Sequence, residues 1–228
     1  MAAGVWPTTR DELLREQECL GKMRPLPWKP EGTWTAGACF ACYPLGREGA
    51  GGTGETCWAA AVLWTPEMSH PVVVVQRVEA PYEPGLLALR EGPVLEAAVR
   101  RLPRLPDVLL VDATGRDHPR RAGLALHLGA VLGVPTVGVT DRPLVARGPV
   151  PEDRRGARSA LVLEGEVVGY WVRTRPRVRP VCVHAAWRTD PETAVEVVLQ
   201  LAARYRTPEP VRRAREAARA ARAGRLAY

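Results

Sequence analysis

The sequence predicts an α/β domain with a mixed sheet, on three observations. Three strand-like runs rich in Val, Ala, Trp and Cys follow one another between Trp34 and Val78 with short connections, the pattern of an antiparallel meander. From Leu86 onward, stretches of helical periodicity alternate with short apolar runs, which means parallel strands joined by crossovers. No internal repeat or linker interrupts the 228 residues, so residues 1–228 read as a single domain whose one core can bury most of its apolar surface.

Taken in order, residues 8–22 form the opening helix, where Thr9 and Glu12 make a capping box and Leu13, Leu14 and Cys19 fall at helical spacing. A Pro- and Trp-rich connector, Arg24–Trp28, leads to strands Trp34–Tyr43, Cys57–Thr65 and Pro71–Val78. The Gly-rich Gly46–Gly54 loop and the turn Thr65-Pro66-Glu67 separate them. Leu86–Arg101 is the second helix, followed by the strand Asp107–Val111. Residues 119–132 are expected to be helical, with Pro119 in the first turn and Gly133 past the end, and Pro135–Val139 is a buried strand. A hairpin pairs Ser159–Leu163 with Val167–Thr174 about Glu164-Gly165-Glu166, and Pro180–His184 is the last strand. Helices at Pro191–Tyr205 and Pro208–Gly224 close the chain, the second strongly basic over about residues 208–225.

Composition narrows the class. At 46% hydrophobic and 25% charged the chain has the balance of a globular protein, and its apolar runs are too short or too interrupted to span a membrane. Its first residues turn polar at Thr8–Glu12 without a signal pattern, so the cytoplasm is the expected compartment. Net charge is +7, almost entirely from arginine, which suits a polyanionic partner as well as it suits a base-composition bias. Five scattered cysteines read as reduced core thiols. Cys39-x-x-Cys42 is the only close pair, and it lacks the second pair or the histidines that zinc requires.

Asp112 is the sharpest candidate. It ends an apolar strand before Ala113-Thr114-Gly115, so its carboxylate emerges at the carboxyl edge of the sheet. There it would either hold a hard divalent cation or cap the turn. Tyr82, between Pro81 and Pro84, sits in a stiff aromatic loop suited to stacking on bases, and Glu91 falls about two turns into the following helix. His118-Pro119-Arg120-Arg121 would set amides and two guanidiniums at a helix start, a phosphate site, although a cap with a solvated basic face explains it equally. The basic closing helix is a phosphate-tracking face or a solvated tail.

Several motifs occur together in one order. These are Ala36-Gly37; Pro81-Tyr82-x-Pro84-Gly85-Leu86-Leu87-Ala88-x-Arg90-Glu91; Pro106-Asp107-Val108-Leu109-Leu110-Val111-Asp112-x-x-Gly115; and His118-Pro119-Arg120-Arg121-x-Gly123-Leu124-Ala125-x-His127-Leu128-Gly129. Gly133–Val139, Thr193–Leu199 and Tyr205-Arg206-x-Pro208-Glu209-Pro210-x-Arg212 continue the series. Over about residues 9–218 the chain resembles the endonuclease V family. The resemblance implies an RNase H-like fold and a Mg²⁺-dependent nuclease, with Mn²⁺ as a substitute ion. Such an enzyme binds deaminated purines, chiefly inosine, in DNA or RNA and cuts the second phosphodiester on the 3′ side in DNA repair. It makes Asp112 a metal ligand and Glu91 its partner, puts Tyr82 and Pro84 at the flipped base, His118 near the scissile strand, and Arg120 and Arg121 on the nucleic acid. A monomer is expected.

Three departures bear on catalysis. Cys39 stands where the family has a first-strand Asp, and a soft thiol is a poor magnesium ligand. Asp141 stands in a Lys slot, and Trp187 in a His slot. Asp141 and His184 are the candidate substitutes for the missing groups. The expectations are therefore an endonuclease with weakened catalysis or, as the alternative, a catalytically inactive inosine-binding protein on the same fold.

Overall fold

The computed structural model describes residues 6–46, 51–65 and 67–225; part of the Gly46–Gly54 loop and Pro66 of the expected turn lie outside the described residues. Helix α1 spans Arg10–Lys22, and Thr9 caps it as the sequence requires, with Glu12 N–H donating to Thr9 Oγ1 and the Glu12 carboxylate accepting from Thr9 N–H. Strands β1 (Ala36–Cys42), β2 (Thr56–Trp64) and β3 (Ser69–Arg77) form the antiparallel meander. Then come α2 (Leu87–Arg100), β4 (Val108–Val111), α3 (Leu124–Leu132) and β5 (Thr136–Thr140). The hairpin β6 (Arg158–Leu163) and β7 (Glu166–Val172) precedes β8 (Val181–Ala185), α4 (Pro191–Leu201) and α5 (Glu209–Arg222).

All eight strands join one sheet in the order β3-β2-β1-β4-β5-β8-β7-β6. β4 runs parallel to β1 and β5 parallel to β4, while β8 is antiparallel to β5. Pro71 lies within β3, an edge strand, where the missing N–H costs the sheet little.

The central strands are apolar on both sides because helices cover both. Cys39, Leu109 and Val111 pack with residues of α1, α2 and α3, whereas Ala38, Leu110, Val137 and Val139 pack with α4 and α5. α5 is no solvated tail: Val211, Ala214, Ala218 and Ala221 are buried against the sheet.

Two helices are shorter than the sequence suggests. α3 begins at Leu124 with Gly123 as its cap, so Pro119 starts no helix. Residues 115–123 are held instead as a loop. Arg116 N–H donates to Ala185 O at 2.8 Å, Arg121 N–H donates to His118 O at 2.9 Å, and Arg121 sits at φ 57°, outside helical space. Gly115 is required there, since a Cβ would lie 2.1 Å from Ala185 O. α4 stops at Leu201, and Tyr205 belongs to the connection to α5. Cys19, expected in the core, is exposed on α1; the other four cysteines are buried, and all five are free thiols. Among the described residues no helix is long and apolar enough to cross a membrane.

Candidate active site

The first strand and the fourth set the site. In the parallel β1–β4 pair Cys39 lies beside Val111, so Asp112, one residue on, emerges at the carboxyl edge next to Phe40. Above them α2 brings Glu91 to the same place. Cys39, Phe40, Ala41, Glu91, Leu95 and Asp112 line one cavity of about 230 Å³. A second cavity of about 190 Å³, several times the roughly 30 Å³ of a water in the liquid, adjoins it. Its walls include Pro84, Gly85, Ala113, Thr114, His118, Thr140 and Leu144. Tyr82, Leu87 and Asp112 line both cavities, so an aromatic ring and a carboxylate stand at their shared boundary.

The Tyr82 loop is anchored from below and left open above. Arg90, buried, donates to Gly52 O at 2.9 Å and Ala80 O at 2.8 Å, pairs with Glu55, and stacks over Tyr43. Gly85 ends the loop at φ 79°, and its carbonyl accepts from Gln17 Nε2, His118 Nε2 and Arg120 Nη2. Tyr82 itself is 43% exposed. A large aromatic in the open, on a braced loop, is placed to stack.

The acidic groups are unequal. Burial raises the pKa of Asp112, although Arg215 pulls the other way by donating to Oδ2 through Nη2 at 2.9 Å and Nε at 3.2 Å. Burial, and then the charges of Glu91 and Asp112, push the Cys39 thiol far up, so with no cation beside it the thiol stays protonated. The same burial brings His118 down to about 4, leaving it neutral at pH 7.

Other expected site residues lie elsewhere or are already engaged. His118 lines the smaller cavity, but Nε2 meets Gly85 O at 2.9 Å and Nδ1 accepts Arg120 N–H at 3.1 Å, so both nitrogens are taken. Pro119 starts no helix, so the helix-start amides expected there are not formed. Arg120 donates to Gln17 Oε1 at 2.7 Å, and Arg121 binds Glu164, Glu166 and Leu163 O. Asp141 lines neither cavity and, exposed, pairs with Arg206 at 2.7 Å, yet it stands near enough for its charge to raise the pKa of Asp112. His184, wholly buried, lies beneath the site. Its Nε2 is 2.8 Å from Thr140 Oγ1 and its Nδ1 3.6 Å from Asp117. Trp187 packs into the core rather than facing either cavity.

Three contributors escaped the sequence reading. Asp117, fully buried, accepts the backbone N–H groups of Leu144, Val145 and Ala146, which holds one wall of the smaller cavity. Gln17 shows a weak signal, a polar residue on the apolar face of α1. Arg215 stood unresolved within the basic closing helix.

With this geometry in view, the comparisons agree. The family model described as Endonuclease V matches residues 47–216. The chain is 41% identical over 209 residues to endonuclease V of Geotalea uraniireducens, covering 89% of this chain and 84% of that protein. It is 40% identical to endonuclease V of Nocardia farcinica, covering 94% of this chain and 93% of that one. The crystal structure of endonuclease V from Streptomyces avermitilis superposes with a TM-score of 0.85 at 34% identity, covering 97% of this chain and 96% of that one. The fold is RNase H-like, and the chain belongs to the endonuclease V family.

Proposed function

We propose that this protein is a divalent-metal-assisted endonuclease that takes inosine, in DNA or RNA, into the cavity bounded by Tyr82, Pro84 and Gly85 and cleaves the strand on its 3′ side, as in repair of deaminated nucleic acid. One observation carries the reading: Glu91 and Asp112 open on a single cavity beside the one that Tyr82 roofs. An extruded base and its neighbouring phosphodiester would thereby meet two adjoining spaces.

The donor chemistry suits a hard cation. Mg²⁺ is usually held by one or two carboxylates and completed by water and phosphate rather than by a full protein cage. Two carboxylates supply that. No group of three His, Cys, Asp or Glu that could hold an ion occurs among the described residues, and a soft thiol at Cys39 is a poor donor for Mg²⁺. When bound, Mg²⁺ or Mn²⁺ supplies charge to the phosphate and acidifies a water. Asp112 and Glu91 would fix its position, and Tyr82 would fill the gap left by the base. His118, with both nitrogens engaged, is a positioning residue that ties Gly85 to the loop after Asp112. Five free thiols accord with a reducing compartment such as the cytoplasm.

The test is a single-stranded oligonucleotide carrying one inosine, incubated with the protein and Mg²⁺ or Mn²⁺. Cleavage at the second phosphodiester 3′ to inosine, absent from a guanosine control, is the expected result. An uncut strand under excess protein would overturn the proposal.

A further inference from the structure

α5 places its charges unevenly. Arg212 and Arg213 are neutralised within the helix by Glu209 and Glu216. Arg215, Arg219 and Arg222, spaced i, i+4 and i+7, form a stripe that flanks the buried face of the helix. Arg219 lies over Phe40, and Arg222 donates to Tyr43 O at 3.0 Å. Arg215, also over Phe40, binds the carboxylate of Asp112.

That contact conflicts with the role assigned to Asp112. Both Arg215 donors converge on one oxygen, Oδ2, rather than matching two donors to two oxygens, so the pair lacks the stronger forked geometry. Each side chain retains 21% exposure. A guanidinium and a divalent cation are like charges, so on the one carboxylate of Asp112 each weakens the hold of the other. The buried alanines of α5 keep the helix in place, so a guanidinium released from Asp112 stays at the rim of the cavity. Asp141, whose charge Arg215 already feels, is held by Arg206, which leaves a backbone phosphate in that cavity as the incoming anion for the guanidinium.

We infer that Arg215 is an exchange residue: it occupies Asp112 until a divalent cation takes the carboxylate, and then transfers its guanidinium to a phosphate of the bound strand. This rests on the proposed metal site at Glu91 and Asp112. It has two consequences of opposite sign. Arg215 weakens cation binding to the protein alone, and it strengthens binding of the nucleic acid.

The experiment is Mn²⁺ titration of the full chain, followed by the electron paramagnetic resonance of the free ion. It compares the wild type with Arg215→Gln, Arg215→Lys and Asp112→Asn, alongside the affinity of each for an inosine-containing single strand. Arg215→Gln should bind Mn²⁺ about tenfold more tightly and the strand about tenfold more weakly, on the scale of one charge-assisted contact. Arg215→Lys should fall between. A variant that is merely damaged would lose both affinities, which contradicts the inference. Unchanged Mn²⁺ binding in Arg215→Gln, with loss in Asp112→Asn, would overturn the exchange and leave the metal site standing. Absence of Mn²⁺ binding from both the wild type and Arg215→Gln would overturn both.

Discussion

His118 donates from Nε2 to the carbonyl of Gly85, 2.9 Å away, and so joins the loop that follows Asp112 to the loop that carries Tyr82. The other ring nitrogen accepts Arg120 N–H, an arrangement that only the neutral imidazole satisfies. His118→Ala removes both bonds and leaves a hole in a buried wall. The expected cost is about 2–3 kcal/mol in urea unfolding, with weaker binding of an inosine strand. Unchanged stability would mean that the two loops are held by other contacts.

Acid should loosen the fold through the same chemistry. His118 and His127 are each brought down to about 4 by burial, against about 6.5 when unfolded. The unfolded chain therefore binds more protons between those values, and stability falls as pH drops from about 6.5 to about 4. By the acid end each histidine has removed on the order of 3 kcal/mol of stability. Urea midpoints at pH 7, 5.5 and 4.5 check this, and His127→Phe should flatten the slope.

Cys39→Asp restores a third carboxylate beside Glu91 and Asp112. Without a cation this places a charge in a fully buried position, so the melting temperature in EDTA should fall by several degrees, for a cost of about 2–3 kcal/mol. Mn²⁺ should recover most of that loss and raise it far more than it raises the wild type. A variant indifferent to Mn²⁺ would argue that these side chains do not share an ion.

Tyr82 makes its contribution on the surface. Tyr82→Ala should leave stability within about 0.5 kcal/mol. Affinity for an inosine-containing strand should fall roughly tenfold or more, the size of one stacking contact. Equal affinity measured by fluorescence anisotropy would remove the ring from recognition.

The sheet was legible because its strands are continuous apolar runs and its turns carry Gly and Pro. The cap of α1 was legible because Thr9 and Glu12 are local. The error at Pro119 has a physical cause: Pro suits a first helical turn, but Gly115 against Ala185 and the left-handed Arg121 hold that stretch as a loop, and neither contact is local. Asp112 and Tyr82 could be singled out by strand end and proline bracket, whereas Glu91 on its helix was marked only by the family resemblance. Arg215 could not, since its partner lies 103 residues away in the chain. Asp117 stayed hidden for the same reason, as its three backbone donors come from a distant segment.

Glu91 and Asp112 are assigned to act together on one phosphodiester. Cleavage of an inosine-containing single strand in Mn²⁺ by the wild type, Glu91→Gln and Asp112→Asn, all shown folded by circular dichroism, tests this most directly. The wild type should cut, and each variant should lose at least about a hundredfold in rate. Variants that cut at the wild-type rate would contradict the account.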